Sequence, residues 1–91
     1  MAVATQGRGE TRDGAYRQWV TCYELEFRGP GPGAQWVRSS LGLLRGNDDC
    51  ETVISHAVEP PVRCRFVRFL PAGWFDTPAM RVEVYGRPSR R

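Results

Sequence analysis

Lysine is absent from this chain, and histidine and asparagine occur once each, as His56 and Asn47. All 13 basic residues are therefore Arg, against 10 acidic ones, for a net charge of +3. A forked guanidinium suits bidentate contacts to carboxylate, phosphate or sulfate. A chain rich in Gly, Ala, Arg and Pro also reads as codon bias, and charge speaks to association and not to fold. Cysteine is sparse and odd in number: Cys22, Cys50 and Cys64. Three cysteines cannot close a complete intrachain framework, which leaves one pair plus a free thiol, or three free thiols. With no C-x-x-C pair and one histidine, the four ligands of a zinc site are not supplied. Asn47 is not followed by x-Ser/Thr, so there is no glycosylation sequon. No apolar run approaches the roughly 18–20 residues of a membrane span, so no transmembrane segment is expected. Residues 1–10 lack a basic stretch followed by an apolar one, so no signal peptide is expected in this chain.

Catalytic patterns are missing as well. There is no G-x-S-x-G, Walker or H-E-x-x-H arrangement. His56 is far in sequence from any Ser–Asp or Cys–Asp set that would make a triad. The chain reads as a non-enzyme with no cofactor.

What is present is β-structure in one small domain. Ninety-one residues make one domain at most, and such a chain buries only about 60–65% of its unfolded surface. Residues 19–28, W-V-T-C-Y-E-L-E-F-R, alternate from Tyr23 onward. Tyr23, Leu25 and Phe27 share one face and Glu24, Glu26 and Arg28 the other, the mark of a half-buried strand. G-P-G-P-G at residues 29–33 is a turn. A short returning strand is predicted over 35–39 around Trp36 and Val37, and a polar turn over 46–49, G-N-D-D. A strand over 52–58 is ended by Pro60-Pro61. Residues 62–70 form the next strand, whose Phe66, Val67, Phe69 and Leu70 predict cover on both faces. Residues 71–78 read as irregular. Residues 79–85 alternate again, with Met80, Val82 and Val84 on one side and Arg81 and Glu83 on the other. Short strands separated by Gly/Pro turns make an all-β sandwich or jelly roll. The basic tail, 87–91, is read apart from the domain, 1–86.

Four segments in order resemble the discoidin (coagulation factor 5/8 C-type) family: V-A-T-Q-G-R (3–8), W-V-T-C-Y (19–23), P-P-V-R-C-R-F-V-R-F-L-P (60–71) and M-R-V-E-V-Y-G (80–86). G-N-D-D and Trp74 fall where the family has similar residues. The third and fourth segments look most like the contactin-associated, neurexin-like adhesion proteins. The resemblance implies a discoidin-like jelly-roll β-sandwich of the galactose-binding-like class. It covers about the last two-thirds of a family domain, so an N-terminally truncated sandwich is expected. The family's closing cysteine is replaced by Arg87, and neither Cys22 nor Cys64 stands at a bridge position of the family.

The resemblance also implies a binding module for cell adhesion or extracellular recognition. Its partners would be a cell-surface or matrix protein such as collagen, a glycan or an anionic phospholipid. The localisation implied is extracellular or at the cell surface. Family ligands meet loops at one end of the sandwich, one of which follows T-Q-G-R. Here that loop is residues 8–18. Collagen-binding members use the Arg that falls on Arg8; carboxylate-binding members use a hydroxyl and a Tyr that fall loosely on Thr11 and Tyr16. With Arg12 and Arg17, these make the predicted ligand site: three cations and an aromatic on a loop, a set that also suits an ordinary solvated turn.

Other candidates carry plainer readings. Arg63, Arg65 and Arg68 interleave with Phe66 and Phe69, a pattern seen on nucleic-acid surfaces. Strand arginines paired with carboxylates explain them better, and no nucleic-acid partner is expected. Arg45-Gly46-Asn47 lacks the carboxylate of an R-G-D tripeptide. Asn47, Asp48 and Asp49 are too few for Ca²⁺ and suit a turn with side-chain hydrogen bonds. Trp19, Trp36 and Trp74 are expected in the core or anchoring loops.

Overall fold

The computed structural model describes residues 1–8, 17–60 and 62–86. Among them are seven strands and no helix: β1 (Ala2–Gly7), β2 (Trp19–Arg28), β3 (Trp36–Arg38), β4 (Leu44–Arg45), β5 (Ile54–Ala57), β6 (Phe66–Phe75) and β7 (Met80–Tyr85). They form two antiparallel sheets. One has the order β5-β1-β7; in the other, β2 pairs with β3 and β4 along one edge and with β6 along the other. This is the all-β jelly-roll-type sandwich that the strand pattern predicts.

The core lies between the two central strands. Val3 and Thr5 of β1 meet Val20, Tyr23, Leu25 and Phe27 of β2, closed at one end by Val58; all are buried. The predicted alternation of β2 therefore holds, with Glu24, Glu26 and Arg28 on the outer face. Burial of such a set drives the fold at about 25 cal/mol per Å² of apolar surface.

Val20 and Tyr23 are three residues apart yet both face inward. A pair of compensating irregularities allows this. Val20 pairs with Trp74, Cys22 with Gly73 and Tyr23 with Pro71, so Thr21 is the extra residue on β2 and Ala72 the extra residue on β6. Each bulge shifts the side-chain alternation by one residue. Gly73 sits in the tight part: a Cβ there would lie 2.7 Å from Thr21 Oγ1 and 3.0 Å from Cys22 Sγ.

Three expectations need correction. The strand expected over 62–70 begins at Phe66 and continues through Phe75, so most of the segment expected to be irregular is strand. Proline is tolerated at Pro71 because β6 is an edge strand and Pro71 lies at the bulge. Nor is β6 covered on both faces. Val67 and Phe69 pack against the core, whereas Phe66 is exposed on the outer face. The strands over 35–39 and 52–58 shorten to Trp36–Arg38 and Ile54–Ala57. The basic tail, 87–91, lies outside the described residues.

Two strands carry no strong signal in the sequence. β1, A-V-A-T-Q-G, is small and polar, yet it is the centre of its sheet. β4 is two residues long.

Candidate functional site

The first and second sheets are tied together by a polar clamp beside the predicted loop. Asn47 is buried, and its side chain is fully engaged. Its Nδ2 donates to the Thr5 carbonyl (3.1 Å) and the Thr52 carbonyl (2.7 Å), and its Oδ1 accepts from Thr5 Oγ1 (2.8 Å). Its own N–H donates to the Val20 carbonyl at 2.8 Å. Gly46 precedes it because a Cβ there would collide with that same carbonyl oxygen. The Thr5 hydroxyl spends its proton on Asn47, and Tyr23 Oη beside it is buried with no partner in hydrogen-bonding geometry. Burial pushes the Tyr23 phenol above the usual tyrosine range, and the neighbouring Thr5 hydroxyl opposes this by less.

Asp49 holds the following turn, as predicted for this polar stretch. Its Oδ1 accepts from the Glu51 N–H (3.1 Å) and the Thr52 N–H (2.7 Å), and its Oδ2 accepts from Thr52 Oγ1 (2.5 Å). The Thr52 hydroxyl and amide hold the carboxyl below the ordinary aspartate range. No group of His, Cys, Asp and Glu among the described residues is arranged to hold a metal ion.

From this turn the chain reaches the root of the 8–18 loop. Gly7 packs so closely that a Cβ would lie 2.7 Å from Cys50 Cα and 2.8 Å from both the Asp49 and Gln18 carbonyl oxygens. That explains glycine before Arg8. Arg81 crosses the same point, with Nε donating to the Gly7 carbonyl (2.8 Å), Nη2 donating to the Cys50 carbonyl (3.1 Å), and Glu51 as ion-pair partner at 3.6 Å.

Arg8 and Gln18 close the loop as an isolated antiparallel bridge, with the Arg8 N–H donating to the Gln18 carbonyl at 2.8 Å. Their side chains join too. Arg8 Nη1 donates to Gln18 Oε1 (3.2 Å), and Gln18 Nε2 donates to Asp76 Oδ2 (3.0 Å). Gln18 is buried and Arg8 exposed, so the buried amide orients the exposed cation. Asp76 adopts φ 65°, a left-handed conformation that costs a non-glycine residue. Such strain persists where the surroundings impose it. Beside it, Trp19 and Phe75 stack at 4.5 Å between ring centroids, with planes 10° apart.

The predicted site residues divide accordingly. Arg8 and Arg17 are described and exposed, at either side of the loop root. Thr11, Arg12 and Tyr16 lie outside the described residues. Gln18, Asp76 and the Trp19–Phe75 stack were not legible as site residues. Asp76 stands 58 residues from Gln18, and only the β2–β6 pairing brings them together.

The remaining candidates are structural. His56 Nε2 lies 2.6 Å from the Arg45 carbonyl oxygen, with its ring edge toward Tyr23. Arg68 pairs with Glu26 at 3.2 Å, as a strand arginine should. Cys22, Cys50 and Cys64 are unpaired thiols, and burial raises the pKa of Cys64. Trp19 and Trp36 are anchored against neighbours, but Trp74 is half-exposed, contrary to the expectation of a core or anchoring role.

No protein-family model matches the chain. Curated relatives do: two forms of Discoidin-1 from Dictyostelium discoideum are each 32% identical over 89 residues, covering 97% of this chain. Two solved structures of discoidin II from the same organism, one recombinant and one wild-type, superpose with TM-score 0.82 over 98% of this chain, at 28% and 27% identity. These likenesses support a discoidin domain. The chain spans about a third of the length of these discoidin relatives, 32% of each curated protein. The structural likeness takes in the backbone of both sheets, since nearly all of the chain superposes.

Proposed function

We propose that this discoidin chain is a non-catalytic binding module that meets its ligand at the end of the sandwich carrying the 8–18 loop. The observation that carries the reading is the chain of hydrogen bonds from the exposed Arg8 through the buried Gln18 to Asp76, which fixes the root of the loop. Arg17 on the other side of the root, together with Thr11, Arg12 and Tyr16, completes the contact set. Guanidiniums gathered at this position suit a carboxylate, a sulfate or a phosphate. The ligand classes are therefore a cell-surface or matrix protein such as collagen, an acidic glycan or an anionic phospholipid, met outside the cell in an adhesive role. The finer affinity to contactin-associated, neurexin-like proteins rests on the segments at 60–71 and 80–86 and belongs to the same proposal. Among the described residues no helix is long and apolar enough to cross a membrane.

The test is the double substitution Arg8→Ala and Arg12→Ala, assayed on immobilised collagen, phosphatidylserine vesicles and acidic glycans. Binding to one of these is expected in the parent chain, weakened at least tenfold in the variant, about 1.4 kcal/mol. Equal binding by both proteins on all three would remove the loop from the site.

One observation favours a second reading, in which the chain works only with further strands or a partner chain. Val82 and Val84 pair with Thr5 and Val3, and Trp74 pairs with Val20, so all three share the inward side of the sandwich. Yet they are 43%, 42% and 50% exposed. They belong to β7 and β6, each paired along one edge only among the described residues. An open apolar flank with free strand edges invites another strand. Sedimentation separates the readings: a monomer at all concentrations supports the independent module, and concentration-dependent association supports the second.

A further inference from the structure

The outer face of the β3-β2-β6 sheet carries a second concentration of arginine, at the far end of β2 from the loop. β2 is ten residues long, so its two ends stand about 30 Å apart. Register places Trp36, Arg28 and Phe66 side by side in one row and Arg38, Glu26 and Arg68 in the next, with Glu24 beyond. The two carboxylates are spent within this face: Glu24 on Arg38 (3.1 Å) and Glu26 on Arg68 (3.2 Å). Arg68 also lies over the Trp36 ring, 3.8 Å from its centroid. Arg28 and Arg65 are different. Neither forms an ion pair with a carboxylate among the described residues. Both gather on the Phe66 ring, at 5.4 Å and 5.8 Å from its centroid. Arg28 Nε is buried without a hydrogen-bond partner, so packing against the ring, and not a counter-ion, holds this guanidinium in place.

We infer that this face binds a linear sulfated polysaccharide through Arg28 and Arg65, with Phe66 between them. Two guanidiniums without a carboxylate partner, Arg28 on β2 and Arg65 just before β6, present forked donors to neighbouring sulfates. The strands beneath already pair with each other, so recognition is by side chains alone, which suits a polyanion with no backbone donors to offer. A peptide adding as a strand would use the edge of β6 that is free among the described residues, and not this face. The Trp36 ring carries the protein's own cation, which leaves little platform for the base stacking of single-stranded nucleic acid. Arginine clusters of this kind are also the ordinary footprint of heparin-type binding.

The test uses heparin oligosaccharide and the full chain, measured by titration calorimetry at low and physiological salt. Binding that weakens as salt rises is expected. It should fall about tenfold or more in Arg28→Gln plus Arg65→Gln, stay unchanged in Arg45→Gln, an exposed arginine outside both contact sets, and vanish with desulfated heparin. Near-UV circular dichroism of the tryptophans checks that the double variant folds, and Arg65→Gln alone, at an exposed position, gives a second reading with less effect on packing. Heparin binding that is absent, or equal in wild type and variants, overturns the inference. So does binding of poly-glutamate, an oligothymidylate or phosphatidylserine vesicles at this face as tightly as heparin. Because Arg28 and Arg65 lie outside the 8–18 loop, failure of the loop reading leaves this result intact.

Discussion

At the scale of single residues, the chain turns on a few side chains whose neighbours are remote in sequence. Asn47 is the chain's one asparagine; its side chain bonds Thr5 of β1 and Thr52 before β5, and its N–H bonds Val20 of β2. Removing it leaves two buried or half-buried carbonyls and a threonine hydroxyl without partners, at about 1–3 kcal/mol for a buried polar group. Asn47→Ala is therefore expected to lower stability by about 2–4 kcal/mol. Urea denaturation with an unchanged m-value would show it, whereas a loss below about half a kcal/mol would mean the clamp is dispensable. Sequence reading placed Asn47 in a turn but could not see its role, because Thr5 lies 42 residues away. Arg8 was singled out as a candidate through T-Q-G-R. Its supports, Gln18 and Asp76, were not, since a glutamine before a tryptophan and an aspartate after a phenylalanine carry no local signature.

Among elements, legibility followed contrast. β2 was plain because large apolar and charged residues alternate along it, and the structure buries the apolar face. β1 was silent because Ala, Thr and Gln neither fill a face nor mark one. The β6 boundaries slipped because its bulge admits Pro71 and Gly73, residues that ordinarily end a strand. The 49–52 turn is an element whose stability has a pH dependence of known sign. The Asp49 carboxylate accepts hydrogen bonds from Thr52 and Glu51, and its folded pKa is depressed. Its contribution is thus fully present above the unfolded aspartate value of about 3.9, and is lost as pH falls through the lower folded value. Asp49→Asn should flatten the acid side of a plot of Tm against pH below about pH 4. If the slope there is the same in both proteins, the turn's hydrogen bonds do not report on stability.

For the whole molecule, the arrangement is a discoidin sandwich with one closed side and one open one. The side formed by β3, β4 and β5 is closed by the His56–Arg45 contact and by Val58. On the other, β6 and β7 leave Trp74, Val82 and Val84 in water. Fold class was readable from the strand pattern and the ordered segments. The open flank was not, because the same alternation that marks Val82 and Val84 as inward-facing does not say what lies opposite. The two proposed faces stand at opposite ends of β2, one built on Arg8 and one on Arg28 and Arg65, so they are separable by experiment.

The most direct measurement of the central claim is a map of backbone amide shifts in ¹⁵N-labelled chain titrated with a triple-helical collagen peptide and with short-chain phosphatidylserine. The account predicts that one of these perturbs Arg8, Arg17, Gln18 and Asp76 together, and leaves Phe66 and its neighbours still. Perturbation confined to the β6–β7 flank, or none at any residue of the loop root with either ligand, would contradict it.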